Sequence, residues 1–228
     1  MARRRMLRLL LPVLVIIMAE GSDATADTEI RYVAVGDSYS IGEGATPEQS
    51  WPSLLTRHLS SEGIKIALVA NPSVTGWTTQ QAIDSELPVF RSAKATFATL
   101  LIGVNDWVQG ITEQKFRHNF NYLVDQMLRG LPNKKLLLIV TIPDFSVTPD
   151  GPNYSRGRDI AKGIESFNKI IAKESAKRDL RVVDILPLSK KMGGDPSLVA
   201  SDGLHPSAKA YAEWEKMIFP AVLELLKK

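Results

Sequence analysis

The sequence predicts an α/β fold, a parallel sheet with helices on both faces. Three observations lead there. Five short apolar runs rich in Val, Ile and Leu recur along the chain. Longer amphipathic stretches separate most of them, and strand–helix alternation implies parallel strands with helical crossovers. The 228 residues are 44% hydrophobic and contain no internal repeat or linker, which suits one domain with one core.

The first run, "IRYVAV" (30–35), reads as a buried strand, and "EQSWPSLLTRHLSSEG" (48–63) as the helix after it. "IKIALVA" (64–70) is the second strand and "TFATLLI" (96–102) the third. "TEQKFRHNFNYLVDQMLRG" (112–130) follows as a helix, then "KLLLIVT" (135–141) as the fourth strand. The segment 143–157 is the longest irregular piece and rich in turn residues; it is expected to border a site at the sheet edge. In 158–178, Ile160, Ile164, Phe167, Ile170 and Ile171 recur at helical spacing. "LRVVDI" (180–185) is the fifth strand, and a helix over about 206–227 closes the chain. Most of these strands lack polar alternation, as strands covered on both faces do.

The first 26 residues stand apart. Arg3, Arg4, Arg5 and Arg8 precede an apolar run from Leu9 to Met18, then small and polar residues. This is the plan of a cleaved export signal, with "ATA" (24–26) or "AEG" (19–21) as the cleavage site. The run is short for a membrane span, which needs about 20 residues. An uncleaved anchor is the competing reading, and "RRRMLR" leaves a twin-arginine route open. The expected mature domain is 27–228, secreted or periplasmic. Without residues 1–26 the chain has 24 basic and 23 acidic residues, net +1 rather than +3. Nothing then suggests a nucleic-acid surface. The chain has no cysteine, which excludes disulfides, thiolate metal sites and a cysteine nucleophile.

Ligands of such sheets bind beyond the carboxyl ends of the strands, so the residues after each strand matter most. Gly36-Asp37-Ser38-Tyr39-Ser40 follows the first. It lacks the lysine of a P-loop and the third glycine of a dinucleotide fingerprint, and Ser40 replaces the second glycine of a Gly-x-Ser-x-Gly elbow. Two readings remain: a nucleophilic serine on a strand-to-helix turn, or a helix-capping Ser or Asp. "NPSVTGW" (71–77) follows the second strand; Gly76 is either a turn glycine or a backbone donor close to a ligand. Gly103-Val104-Asn105-Asp106 follows the third; Asn105 is either part of a turn or an amide donor to an oxyanion. "SDGLHPSAKAY" (201–211) follows the fifth strand; Asp202 lies three residues before His205, a spacing that lets a carboxylate meet an imidazole. A surface turn with a capping Asp is the alternative, and Pro206 is expected to start the following helix. Of the three histidines, His58 and His118 fall on helices, and only His205 has this setting.

These four blocks in order resemble the SGNH/GDSL hydrolase superfamily over roughly 28–226. "GDSYS", "NPSVTG", "GVND" and "DGLH" match its blocks. One departure is Ala210-Tyr211, where many relatives have Gly-Tyr. The resemblance implies a three-layer α/β/α sandwich, flavodoxin-like, with a five-stranded parallel sheet. It implies a serine esterase with Ser38, Asp202 and His205 as triad, and the Ser38 and Gly76 N–H groups with the Asn105 amide as oxyanion donors. It implies no metal and no organic cofactor. Trp51, Trp77 and Trp107 follow these blocks and either line an acyl groove or pack in the core. The substrate expected is a small-molecule ester or lipid, with lysophospholipids and thioesters in range. An O-acetyl esterase or acetyl transferase acting on cell-envelope carbohydrate is the first alternative, and a non-catalytic binding module the second.

Overall fold

A computed structural model describes residues 29–227; the expected export signal lies outside them. Five parallel strands stand in the order β2-β1-β3-β4-β5. They are β1 (Ile30–Gly36), β2 (Ile66–Ala70), β3 (Phe97–Leu101), β4 (Leu137–Val140) and β5 (Arg181–Val183). The all-apolar strands behave as their composition dictates. Every residue of β3 and β4 is buried, and so is β1 from Tyr32 onward, whereas the edge strands β2 and β5 are partly open. One polar pair sits inside this core, Tyr32 Oη against Thr99 Oγ1 at 2.8 Å, each satisfying the other.

The helices are α1 (Ser38–Ile41), α2 (Trp51–Ser61), α3 (Thr79–Gln81), α4 (Leu87–Ser92) and α5 (Val104–Val108), then α6 (Glu113–Gly130), α7 (Ile160–Ala176), α8 (Leu186–Ser189) and α9 (Ala208–Leu226). α2 packs on α9 in one layer, while α6 packs on α4 and α7 in the other. The sheet lies between them, which makes the three-layer sandwich. The long helices start where side-chain caps allow. Thr112, Asp159 and Ser207 accept the backbone N–H of Lys115, Lys162 and Ala210. On α7 the five residues at helical spacing are all buried.

The structure adds one helical segment to the sequence reading and corrects that reading at two places. The segment between β2 and β3 is helical from Thr79 to Ser92, with a π turn over Ala82–Glu86. Pro88 explains the turn: it has no N–H to donate, and its ring crowds the carbonyl one turn back, so the helix widens. The last helix begins at Ala208 behind its cap Ser207, not at Pro206. Pro206 instead forms an antiparallel bridge with Val199. The Asp202 block also does not follow β5 directly, because α8 and two 3-10 turns intervene.

Candidate active site

A cavity of 280 Å³, including its solvent-open mouth, lies at the carboxyl edge of the sheet. Ser38, Tyr39, Val104, Asn105, Val108, Phe145, Tyr154, Leu204 and His205 line it. Three of the residues singled out in the sequence, from three distant segments, therefore share one wall.

Ser38 opens α1. The side chain of Asp37 caps this short helix by accepting Tyr39 N–H at 3.1 Å. Gly42 ends it with φ +91, a left-handed conformation natural to glycine. The turn is pinned from outside as well. Trp51 Nε1 donates to Tyr39 O at 3.0 Å, and Asn71 Nδ2 donates to Ser40 O at 2.8 Å. Trp51 is fully buried and belongs to this support. Ser38 is only 4% exposed, and no backbone acceptor among the described residues takes its N–H.

His205 Nδ1 and Asp202 Oδ2 are 2.6 Å apart. The other oxygen, Oδ1, accepts the backbone N–H of Leu204 and of His205, both at 2.9 Å. Partial burial works against the charged form of Asp202. The two N–H groups and the imidazole outweigh it and hold the carboxyl below its usual range. An ionised Asp202 makes Nδ1 the donor and leaves Nε2 bare. The loop carrying the pair is closed by Ala200 N–H to His205 O at 2.8 Å and Ser207 N–H to Leu198 O at 2.9 Å. It also rests on the loop after α1. A Cβ on Gly44 would fall 2.6 Å from Ala200 Cβ and 2.9 Å from Pro206 O, so glycine lets the two loops touch. Among the described residues Ser38 Oγ makes no hydrogen bond with His205; such contacts are often loose before substrate binds.

Asn105 sits in the first turn of α5 and donates from Nδ2 to Trp77 O at 3.0 Å and, more weakly, to Asp37 Oδ2 at 3.4 Å. Gly76 has φ +85 and open space where a side chain would stand. Its carbonyl accepts Gln109 Nε2 at 3.1 Å, and no backbone acceptor among the described residues takes its N–H. Gly76 itself is not part of the cavity wall.

Neither Trp77 nor Trp107 belongs to the wall. Trp107 is buried, with the Arg158 guanidinium 4.0 Å above its ring, and touches Phe145 edge-on. Phe145 and Tyr154, from the irregular segment after β4, form the wall instead. His58 pairs with Glu215 and stacks on Phe219, and His118 is exposed on α6, so neither reaches the site. Beneath the site lie three buried acids that the sequence did not single out: Asp37, Glu86 and Asp106. Burial pushes Asp37 and Glu86 up to about 8 and Asp106 to about 6. Among the described residues no three His, Asp or Glu side chains are grouped to hold a metal ion.

Known proteins share this plan. Residues 34–213 match the GDSL-like Lipase/Acylhydrolase family. Esterase TesA of Pseudomonas aeruginosa is 25% identical, over 85% of this chain and 88% of that protein. Thioesterase 1/protease 1/lysophospholipase L1 of Escherichia coli is also 25% identical, over 93% of each. Among solved structures, TesA superposes with a TM-score of 0.68 at 23% identity, covering 86% of this chain and 99% of that one. The lipase/acylhydrolase from Enterococcus faecalis gives 0.69 at 21% identity, covering 85% and 95%.

Proposed function

The chain belongs to the GDSL-like lipase/acylhydrolase family and is a carboxylic ester hydrolase; from that premise we propose that it cleaves small acyl esters through Ser38, His205 and Asp202. The observation that carries this reading is the 2.6 Å contact between His205 and Asp202 beside a cavity that Ser38 shares. Ser38 Oγ attacks the ester carbonyl carbon while its proton passes to His205 Nε2. Asp202 holds the ring and stabilises the imidazolium. The tetrahedral oxyanion takes hydrogen bonds from Ser38 N–H, Gly76 N–H and Asn105 Nδ2. Collapse breaks the bond to the alcohol, which leaves with the proton from His205. Water then attacks the acyl-Ser38 ester with His205 again as base, and the acid departs.

The small cavity, with Val104, Val108, Phe145 and Leu204 beside its polar groups, favours a short-to-medium acyl group. It accommodates an acetyl group equally, so deacetylation of carbohydrate is the second reading. Residues 1–26 read as an export signal, and on that reading the enzyme acts outside the cytoplasm. No helix among the described residues is long and apolar enough to cross a membrane. The deciding experiment is a panel of p-nitrophenyl esters of rising chain length, run beside an acetylated glycan. A kcat/KM maximum at medium chain length supports the acyl-ester reading; acetate release from glycan far above any simple ester replaces it with the second.

A further inference from the structure

Gly36, the last residue of β1, is held from an unexpected side. Its N–H donates to Glu86 Oε2 at 2.9 Å. Glu86 ends the π turn before Pro88 and is fully buried. Gly36 leads directly to Asp37 and Ser38, so this bond acts on the turn that presents Ser38. Steric fit confines the same point. A Cβ on Gly36 would lie 2.2 Å from Ser40 Oγ and 2.3 Å from Leu101 O.

The rest of the Glu86 carboxyl is not spent. Oε1 is buried and has no hydrogen-bond partner, and Ser40 Oγ, against the same glycine, is also buried without one. No cation is paired with Glu86 among the described residues, and the nearby Asp37 carboxyl works against its charge. The elements packed against the π turn are α3, α4, α6 and β1. None of them supplies a compensating charge at this carboxyl. A carboxylate here is a bare buried anion, the arrangement proteins avoid by neutralisation.

We propose that Glu86 is a positioning residue for Ser38: through Gly36 N–H its side chain sets the strand-to-helix turn on which Ser38 stands. This rests on Ser38 being the nucleophile. The neutral acid accepts the N–H without adding charge to the site. Burial, with the nearby Asp37, lifts its ionisation to about 8. Loss of that proton puts a buried anion beside the Asp37 carboxyl, close to where the oxyanion forms. Turnover therefore falls on the alkaline side while substrate binding is little changed.

The test compares wild type, Glu86→Gln and Glu86→Leu as full chains on p-nitrophenyl acetate between pH 6 and 10. Active sites are counted with a serine-directed phosphonate, with Ser38→Ala as the control. Wild-type kcat is expected to fall as pH rises through about 8. Glu86→Gln keeps the acceptor without the charge, so it should retain at least half of kcat at neutral pH and show a smaller alkaline fall, the remainder belonging to Asp37, which burial lifts to about 8 as well. Glu86→Leu removes the acceptor and should lower kcat about tenfold at unchanged KM. Should Glu86→Leu not fold, the Glu86→Gln profile decides alone. A phosphonate-reactive Glu86→Gln with the wild-type alkaline fall overturns the proposal, as does a folded Glu86→Leu with full kcat. An active Ser38→Ala instead removes the nucleophile reading beneath it.

Discussion

Asp106 receives both polar groups of Thr79: the backbone N–H at 2.8 Å and the hydroxyl at 2.5 Å. The bond ties α5 to the start of α3. Two further bonds run from α5 and its C-cap to the loop before α3, Asn105 Nδ2 to Trp77 O and Gln109 Nε2 to Gly76 O. One face of α5 thus holds the whole segment from Gly76 to Thr79, and the two proposed oxyanion donors outside Ser38 share one rigid frame. Asp106→Ala leaves two buried Thr79 donors unpaired. It should cost about 1–3 kcal/mol of stability and lower kcat more than it changes KM. Urea unfolding and steady-state kinetics on one preparation check both.

Ser38→Ala should abolish ester hydrolysis and phosphonate labelling while leaving the fold intact. Ser38 Oγ is engaged in no hydrogen bond among the described residues that the fold needs. Circular dichroism beside the activity assay separates lost chemistry from lost structure. A fully active variant would sink the mechanism.

Asn105→Ala should reduce turnover about 10²–10³-fold, as for other side-chain oxyanion donors. The amide already donates to Trp77 O, so its direction is set before substrate arrives. A loss below tenfold would mean that the two backbone N–H groups suffice.

The positions of Ser38, Asn105 and His205 were legible because the rule that carries them is simple. Parallel sheets gather ligands at their carboxyl edge, and the first three blocks follow strands directly, whereas α8 and two 3-10 turns separate the fourth from β5. The supporting acids were hidden for a physical reason. Glu86 lies on a helix whose period Pro88 breaks, and a π turn shows no 3.6-residue spacing to the eye. Asp106 reads as half of an Asn-Asp turn until Thr79, 27 residues away, is seen to meet it. Gly44 looks like loop flexibility in the sequence. Only the closeness of Ala200 and Pro206 shows that it lets two loops touch. The tryptophans were ambiguous for the opposite reason: large aromatics suit both cores and pockets, and the sequence does not say what stacks on them.

Stability should fall as pH rises from about 4 to 8. Burial lifts Asp37 and Glu86 to about 8 and Asp106 to about 6, against about 4 in an unfolded chain. Over that window the folded state binds more protons than the unfolded one, so the stability slope is negative. The contribution is complete below about pH 4 and is lost through the folded-state values. Asp202 and Glu174 act in the opposite sense. Burial opposes their charge, but hydrogen bonds hold Asp202 low, and Lys177 and Arg117 hold Glu174 low. Their contribution is present above the unfolded values and vanishes in stronger acid. The urea midpoint should therefore peak in mild acid and decline toward pH 9, less steeply in Glu86→Gln. A midpoint rising steadily from pH 5 to 9 contradicts this.

Arg158 and Trp107 decide whether the indole after the third block packs in the core or lines a groove. Arg158 donates to the carbonyls of Trp107 and Val108 at 2.7 and 3.0 Å, closing the last turn of α5, and its guanidinium covers the indole. Gly163 lies so close that a Cβ there would fall 1.7 Å from Trp107 Nε1. The indole is a packed strut between α5 and α7, and it touches the cavity wall at Phe145. Trp107→Phe should therefore lower stability and leave the ratio of kcat/KM between acetate and longer esters within about twofold, as expected of a change that removes packing without altering the pocket. Arg158→Lys should lower stability too, because an ammonium lacks the planar fork that serves two carbonyls and stacks on a ring. Phe145→Ala and Tyr154→Ala act on the wall itself and should shift the ratio toward longer chains. If Trp107→Phe shifts it as far as they do, the indole contacts substrate during turnover and the strut assignment fails.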